Sequence, residues 1–493
     1  MDIENEKNER NVRLNKIKEL ESKNIKPYAE KFDKKNNCLE LKDFTIGKEV
    51  QTAGRIVLKR DMGKISFIHI QDYSGKIQAV FTINDLEEEK YTNFKNLVNI
   101  GDFIGVSGSM FETKKGEISI LVKDYTFLSK ALRPLPDKFH GIADSELKYR
   151  QRYLDLIMDP ETRERFQFRN DFIWELRKFY RDYNFQEIDT PILCNTASGA
   201  LAKPFDTHHN ALDIDVHLRI APELYLKRAV VGGYERVVEF ARCFRNEGTD
   251  PSHLQDFTMI EHYAAYWNFE DNMKFTEEML TSIIKKLKGA LKIEIPNRDG
   301  ELIEVDFSGP WKKLSFRDLL IKDCNIDIDN FSDLESLKNE IKGKNIKIKD
   351  MDSLGRGNLI DALYKVVSRP NLINPIFLVN HPIDVSPLAR KNDENPNIAD
   401  RFQLVVNGWE IVNAYSELID PIDQVERFDK QMKAKDLGDE EAMNKDEDYI
   451  KAMEYGMPPM SGFGMGVERI VALLTKQQNL RDVVLFPLMR PEN

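Results

Sequence analysis

The sequence predicts an α+β chain of more than one domain: a small all-β barrel near the N-terminus, then a larger antiparallel sheet with flanking helices. Three observations predict it. Five short segments of alternating apolar residues crowd into residues 49–128, a proline-bearing stretch Leu132-Arg-Pro-Leu-Pro-Asp137 follows, and beyond it strands and helices mix without a regular βαβ repeat. Composition supports an ordinary globular protein. With 493 residues, 41% of them hydrophobic, 25 Gly and 20 Pro, the chain is unlike fibrous or disordered classes and can bury a large core. Its longest apolar runs, such as 470–474 and 483–487, fall far short of the roughly 18 residues that span a bilayer, so no membrane segment is expected.

The first ten residues are charged and lack the apolar stretch of a signal peptide, and their acidic residues speak against a transit peptide, so the mature chain is expected to start here. Four cysteines, Cys38, Cys194, Cys243 and Cys324, form no CxxC pair and are too sparse to staple the chain, which points to a reducing, cytoplasmic setting. The net charge is −11, but residues 1–140 alone carry +3. An acidic total excludes blanket coating of nucleic acid, whereas a mildly basic head fits either a local polyanion site or a surface fluctuation.

In chain order, Val12, Ile17, Leu20 and Ile25 among charges predict an amphipathic helix over residues 9–30 that ends before Pro27, within an N-terminal extension of residues 1–48. Strands are expected at 50–57, 65–71, 75–81, 102–111 and 118–126, broken by Met62-Gly63-Lys64 and Tyr73-Ser74-Gly75. Five strands in about 80 residues fit a barrel of the oligonucleotide-binding (OB) kind over residues 49–130. Residues 131–150 are the expected linker, stiffened by Pro134 and Pro136. The second domain, residues 151–493, opens with a helix carrying Phe172, Leu176, Phe179 and Tyr183 on one face and a strand ending near Thr190-Pro191. The charged stretch 331–349 reads as a helical insertion in this domain.

Two nucleotide signatures are absent: there is no GxxxxGK[ST], and Gly462-Phe-Gly-Met-Gly466 is not a GxGxxG opening a βαβ unit. The densest chemistry lies between Val237 and Tyr263, read as a strand, a polar loop and a returning strand. Period-two alternation puts Phe257, Met259, Glu261 and Tyr263 on one face, suited to a stacked base and an ammonium. Arg245, at the loop mouth in Phe244-Arg-Asn-Glu-Gly248, is either a solvated hairpin arginine, with Phe257 in the core, or a guanidinium that grips phosphate. In Asn413-Ala-Tyr-Ser-Glu417 the same alternation groups Asn413, Tyr415 and Glu417 and sets the preceding Glu410 on the opposite face. The glycines of 462–466 mark either tight strand packing or a bare face against which a flat ligand lies. Arg469 then falls in a first helical turn, and Glu223 at a helix start has a bland alternative as a partner of the helix dipole.

Together these residues resemble a class II lysyl-tRNA synthetase, from the N-terminal helix to Pro491. Motif one resembles the helix and strand ending at Thr190-Pro191, motif two Phe244-Arg-Asn-Glu to Phe257, and motif three Gly464-Met-Gly-Val-Glu-Arg469. The lysine subgroup is suggested by Lys203-Pro-Phe-Asp-Thr-His-His-Asn-Ala-Leu212, Ala221-Pro-Glu-Leu-Tyr-Leu-Lys227, Asn413 to Glu417, and Ala131-Leu-Arg-Pro-Leu-Pro-Asp-Lys-Phe-His140. The resemblance implies the class II antiparallel-sheet catalytic fold, ATP, L-lysine and tRNA(Lys) as substrates, Mg2+ as cofactor and a homodimer through motif one. It further implies ATP contacts from Arg245, Glu247, His253, Phe257, Gly464, Gly466 and Arg469, with both arginines catalytic. Lysine contacts fall to Gly199, Glu223, Glu261, Tyr263, Asn413, Tyr415 and Glu417, with Glu223 and Glu417 as carboxylates for the ε-ammonium.

The chain departs from the family pattern in places. The usual pair of metal carboxylates would fall at 403 and 410, but the first is Gln403, which supplies an oxygen and no charge. Ser252-His-Leu-Gln-Asp-Phe257 lacks a common arginine, and Ile419 replaces a common asparagine. In the barrel Arg60, Phe67, Gln78 and Glu117 resemble anticodon readers, since single-stranded bases are read by stacking and polar edges, although Phe67 has the alternative of a core residue. Two rival functions are a lysine-activating enzyme with a protein acceptor and a catalytically dead nucleic-acid-binding paralogue. The barrel speaks against the first, and the retained arginines and pocket carboxylates against the second. Because Glu410 and Glu417 are both needed at one site, either a bulge or bend between Glu410 and Asn413 re-aims one side chain, which is the expectation we favour, or Glu410 reaches round the strand edge.

Overall fold

The computed structural model describes residues 3–136, 144–200, 202–248, 250–436 and 444–492. The middle of the expected linker, including Asp137 to His140, lies outside the described residues. The chain divides into two compact units, residues 1–148 with 153–158, and residues 149–152 with 159–493.

In the first unit, strands β1 (Glu49–Met62), β2 (Ile65–Gln71), β3 (Lys76–Thr82), β4 (Phe103–Glu112) and β5 (Ile118–Ser129) close a barrel in the order β1-β2-β3-β5-β4. The closing pair β3/β5 is parallel. Alternation drives the closure: Ile56, Ile68, Ile70, Ala79, Phe81, Ile104, Val106, Ile120 and Val122 are almost fully buried. Strand β1 outruns its expected end because one extra residue between Ile56 and Leu58 shifts the pairing with β2, which breaks the period without ending the strand. A helix at Glu88–Leu97, not anticipated from the sequence, stacks Phe94 on Phe81 with ring centroids 3.8 Å apart. Its charged first turn masked three apolar residues, Tyr91, Phe94 and Leu97, at helical spacing. The N-terminal helix runs Ile3–Ser22, earlier than expected, and stops where Asn24 turns left-handed with φ 57°.

In the second unit, β6 (Gln186–Glu187) is followed by a small sheet of β7 (Leu193–Cys194), β8 (Asp206–His209) and β9 (Ile214–Leu218). Strands β10 (Arg236–Phe244) and β11 (Asp256–Ala265) form a hairpin, and β12 (Lys292–Pro296) with β13 (Leu302–Asp306) another. Next come β14 (Lys312–Ser315), β15 (Ile376–Pro382), β16 (Ile398–Val406), β17 (Trp409–Ser416) and β18 (Met460–Gly466). One eight-stranded sheet orders them β14-β15-β16-β17-β18-β11-β10-β6, antiparallel except for a parallel strand at each edge. The structure thus bears out an α+β chain with a small barrel and a larger, mainly antiparallel sheet.

Helices Pro160–Asp182 and Phe269–Lys288 cover one face of this sheet. The first starts with Asp159 as N-cap and Pro160 at its first position; the second has a capping box of Asn268 and Asp271. Phe172, Leu176, Tyr180, Ile260, Met279, Ile283, Phe402 and Met465 meet there at 3% exposure or less. Tyr180 fills the place expected of Phe179, which is only partly buried and stacks on Tyr183 with centroids 4.8 Å apart. Because the helices seal this face, the residues alternating with Ile260 must look out of the other. The 331–349 stretch forms the helix Leu334–Gly343, which packs into a separate side core with Phe316, Leu359 and Leu363.

Candidate active site

The open face holds a cavity of about 300 Å3, lined among others by Phe257, Met259, Glu261 and Tyr263 of β11. Register explains their company. Two rungs cross three strands, Glu261–Gly464–Asn413 and Tyr263–Gly462–Tyr415, each with a glycine in the middle. The glycines differ in use. A Cβ at Gly462 would collide with the Glu417 carboxylate and the Tyr263 ring, so tight packing explains this one. At Gly464 the nearest atom to such a Cβ is Met259 Sδ at 3.7 Å, and at Gly466 it is Arg469 Cδ at 3.8 Å, so the floor is bare only there.

Strict alternation sets Glu410 and Asn413 on opposite faces, yet both line the cavity. The pairing of β16 with β17 runs Gln403↔Asn413, Leu404↔Val412, then Val405↔Glu410, so Ile411 is an extra residue and the strand is bulged there. The bulge re-aims Glu410, as the conflict within the sequence required.

At one end lie the acidic and phenolic groups. Tyr415 Oη donates to Glu223 Oε1 at 2.8 Å, and Tyr263 Oη to Glu261 Oε2 at 3.3 Å. Burial, and then Glu223, push the Glu261 carboxyl well above the usual range. Gly199, in the left-handed region with φ 93°, passes so close that a Cβ would sit 3.1 Å from Glu223 Cβ. Glu223 and Glu417, expected as carboxylates for the ε-ammonium, already share a cation of the chain itself. Lys227 Nζ lies 2.5 Å from Glu223 Oε1 and 2.5 Å from Glu417 Oε2, and Lys227 is fully buried. The i, i+4 spacing of Glu223 and Lys227 was visible in the sequence, but such a pair is usually an exposed helix pair. Lys227 is thus the ion-pair partner of the buried Glu417 carboxylate. Glu417 itself is off the cavity lining, its carboxylate lying over Gly462, which is on it.

At the other end the guanidinium of Arg245 lies 5.1 Å from the Phe257 ring centroid, and its buried Nε has no hydrogen-bond partner among the described residues. Arg469 Nη1 donates to the Glu410 carbonyl at 3.0 Å. Glu247 and His253 line this end, with His253 Nδ1 2.8 Å from Asp250 Oδ2. Glu468, 2% exposed, takes the Thr258 N–H at 3.0 Å and Arg169 Nη2 at 3.0 Å, which fixes the first turn carrying Arg469 against β11 and the Pro160–Asp182 helix. Reading by motif also missed Arg401, directly across from Tyr415, whose Nε donates to Asn413 Oδ1 at 2.8 Å. Alternation along β16 is the signal that would have found it.

Among the described residues no group of three or more His, Cys, Asp and Glu could hold a metal by itself. Glu410, one of several cavity-lining carboxylates, has no ion-pair partner among the described residues. Gln403 is 6% exposed and off the lining. This donor set fits Mg2+, which is commonly held by one carboxylate, substrate phosphates and water.

In the barrel Arg60 pairs with Phe67, and Phe67 is half-buried, alternating with the buried Ser66 and Ile68. It belongs to the outer face, so the core alternative fails. Glu117 accepts from Gln78 Nε2 at 2.7 Å and lies 3.0 Å from His69 Nε2, while Ser119 Oγ donates to Gln78 at 2.9 Å. His69, two residues from Phe67, joins these polar groups and was missed in the sequence.

Residues 144–490 match the family model of class II tRNA synthetases (D, K and N), and residues 50–128 match that of the OB-fold nucleic acid binding domain. A lysine–tRNA ligase of Carboxydothermus hydrogenoformans is 46% identical over 485 residues, 98% of each chain. One of Aquifex aeolicus is 47% identical over 444 residues, 90% of this chain and 73% of its own. One of Thermosipho africanus is 43% identical over 491 residues, 98% of this chain and 96% of its own.

Proposed function

Since this chain belongs to the lysine–tRNA ligases of the class II tRNA synthetase family, we propose how its residues divide the work of joining lysine to tRNA. The observation that carries the reading is a polarised cavity: tyrosine-braced carboxylates at one end, and the guanidinium groups of Arg245 and Arg469 at the other. Lysine brings ammonium groups and ATP brings phosphates, so each end meets the charge it lacks.

The side chain of lysine enters between Tyr263, Tyr415 and Glu223, with its ε-ammonium at Glu223 and Glu417 and its α-ammonium at Glu261 and over Gly199. Asn413, held by Arg401, orients the α-carboxylate. Adenine stacks on Phe257, and Arg245 turns from that ring to the α-phosphate, with Glu247 and His253 beside it. Gly464 and Gly466 let the nucleotide lie against backbone, and Arg469 takes the far phosphates. A lysine carboxylate oxygen then attacks the α-phosphorus as the bond to pyrophosphate breaks. The resulting lysyl-adenylate gives its acyl group to a terminal ribose hydroxyl of tRNA, and AMP leaves. No side chain forms a covalent bond; Arg245 and Arg469 stabilise charge that grows on phosphate oxygens. Glu410 would hold Mg2+, which when bound neutralises phosphate charge, and Gln403 stays off the cavity lining. The outer barrel face of Arg60, Phe67, Gln78 and Glu117 reads the tRNA anticodon. Two copies are expected to pair through motif one, and the unpaired Cys38, Cys194, Cys243 and Cys324 suit the cytoplasm.

Lysine-dependent ATP–pyrophosphate exchange, followed by charging of tRNA, tests the assignment. Glu417→Gln and Glu223→Gln should each raise the KM for lysine strongly, since a mismatched buried polar partner can cost up to about 10⁴-fold in discrimination. An unchanged lysine KM in both removes these residues from the lysine site.

A further inference from the structure

Building on that lysine site, we infer that Lys227 is a positioning residue for substrate selection: its ammonium is a built-in counter-ion that spaces Glu223 and Glu417 and sets the charge the pocket presents. Lys227 is fully buried and absent from the cavity lining, so it works from behind the wall. It pairs with two carboxylates from separate elements, Glu223 on its own helix Glu223–Val231 and Glu417 just past β17, each at 2.5 Å. Three phenol rings surround it, Tyr263 and Tyr415 at 5.7 Å and Tyr449 at 5.8 Å from their centroids. A buried ammonium has three N–H donors to satisfy. This one pairs with two carboxylates: Glu223 lines the cavity, and Glu417 lies off the lining with its carboxylate over Gly462, which is on it.

Glu223, Glu261 and Glu417 crowd three carboxyl groups into the lysine end, and Lys227 sets one ammonium against two of them, Glu223 and Glu417. Without Lys227, two neighbouring buried carboxylates would share a proton, and a protonated carboxyl no longer accepts from an incoming ammonium on that oxygen. Glu223, Glu417, Tyr263, Tyr415 and Tyr449 are the titratable groups that face Lys227. Burial alone would lower the Lys227 pKa, but Glu223 and then Glu417 raise it, so the ammonium persists across the working range. Burial pushes Glu417 up to about 8 against the opposing pull of Lys227. Substrate ammonium binds the ionised form, so the lysine KM should fall as pH rises through that value. Loss of Lys227 should move the fall to higher pH.

The test compares Lys227→Gln, which keeps a donor and loses the charge, with Lys227→Arg, which keeps the charge. Lysine and ATP KM are read in pyrophosphate exchange from about pH 6.5 to 9.5. In Lys227→Gln the lysine KM should rise about tenfold or more near neutrality, for a shift of one pKa unit or more, and the gap should close at alkaline pH with the ATP KM unmoved. Lys227→Arg should keep the wild-type pH profile even if its KM rises. An unchanged lysine KM in Lys227→Gln, or a rise equal at every pH and shared by ATP, overturns the inference. Should Lys227→Gln fail to fold, the arginine variant decides, and a displaced pH profile in that charge-conserving variant counts against it. Glu417→Gln separates the two levels: a raised lysine KM there with a normal Lys227→Gln sinks only this inference, whereas normal values in both sink the lysine site as well.

Discussion

Gly462→Ala puts one methyl group where two side chains already are. A Cβ at this position overlaps the Glu417 carboxylate and comes within 2.9 Å of Tyr263 Cδ1, so either residue must move. Both belong to the lysine end, and neither is the free end of a flexible chain, since Glu417 is 2% and Tyr263 3% exposed. Forcing a methyl into filled space costs about 1–3 kcal/mol, which is roughly 5- to 140-fold if it falls on substrate binding. Gly464→Ala is the matched contrast. Its methyl would meet nothing closer than 3.7 Å, so the protein alone tolerates it, but it occupies floor assigned to the nucleotide. In ATP–pyrophosphate exchange the first variant should raise the KM for lysine by that factor with little change for ATP, and the second should do the reverse. A thermal melt checks that both variants fold. Equal effects of the two variants on both substrates, or a normal lysine KM in Gly462→Ala, would refute the division of the cavity into two ends.

Arg245→Ala should slow adenylate formation by roughly 10²–10³, the scale for losing one electrostatic contact to a transition state; near-normal exchange rates would end that assignment. Phe67→Ala and Arg60→Ala should weaken tRNA charging and spare exchange, because they lie on the outer face of a separate barrel; an equal fall in exchange would make them structural. Glu410→Gln should nearly abolish the Mg2+-supported exchange reaction and Gln403→Glu should lower the Mg2+ concentration it needs, both read from Mg2+ titrations; indifference to both substitutions would remove Glu410 from the metal. Glu239→Gln breaks the buried pair with Arg219, 2.5 Å from it, and should lower stability by about 3–5 kcal/mol in denaturant unfolding; a loss under 1 kcal/mol, roughly the value of an exposed pair, would show that the pair is solvated.

The sequence by itself determined the barrel, the antiparallel sheet and most of the cavity wall. Each rests on a local rule: period two sends Phe257, Met259, Glu261 and Tyr263 to one face whatever the rest of the chain does, and spacing puts Arg469 in a first helical turn. The bulge was legible too, because two demands on one strand conflicted. The partner of a side chain was not legible, since it depends on which elements pack together. Only the tertiary structure decided that Glu417, 190 residues after Lys227 in sequence, closes on the same ammonium as Glu223, and that Arg401 braces Asn413. It also decided that Gly462 is occupied while Gly464 and Gly466 stay bare, although the three look alike in sequence. The physical reason is range: backbone geometry is set by neighbours in the chain, whereas the cost of a buried charge is set by whatever surrounds it in space.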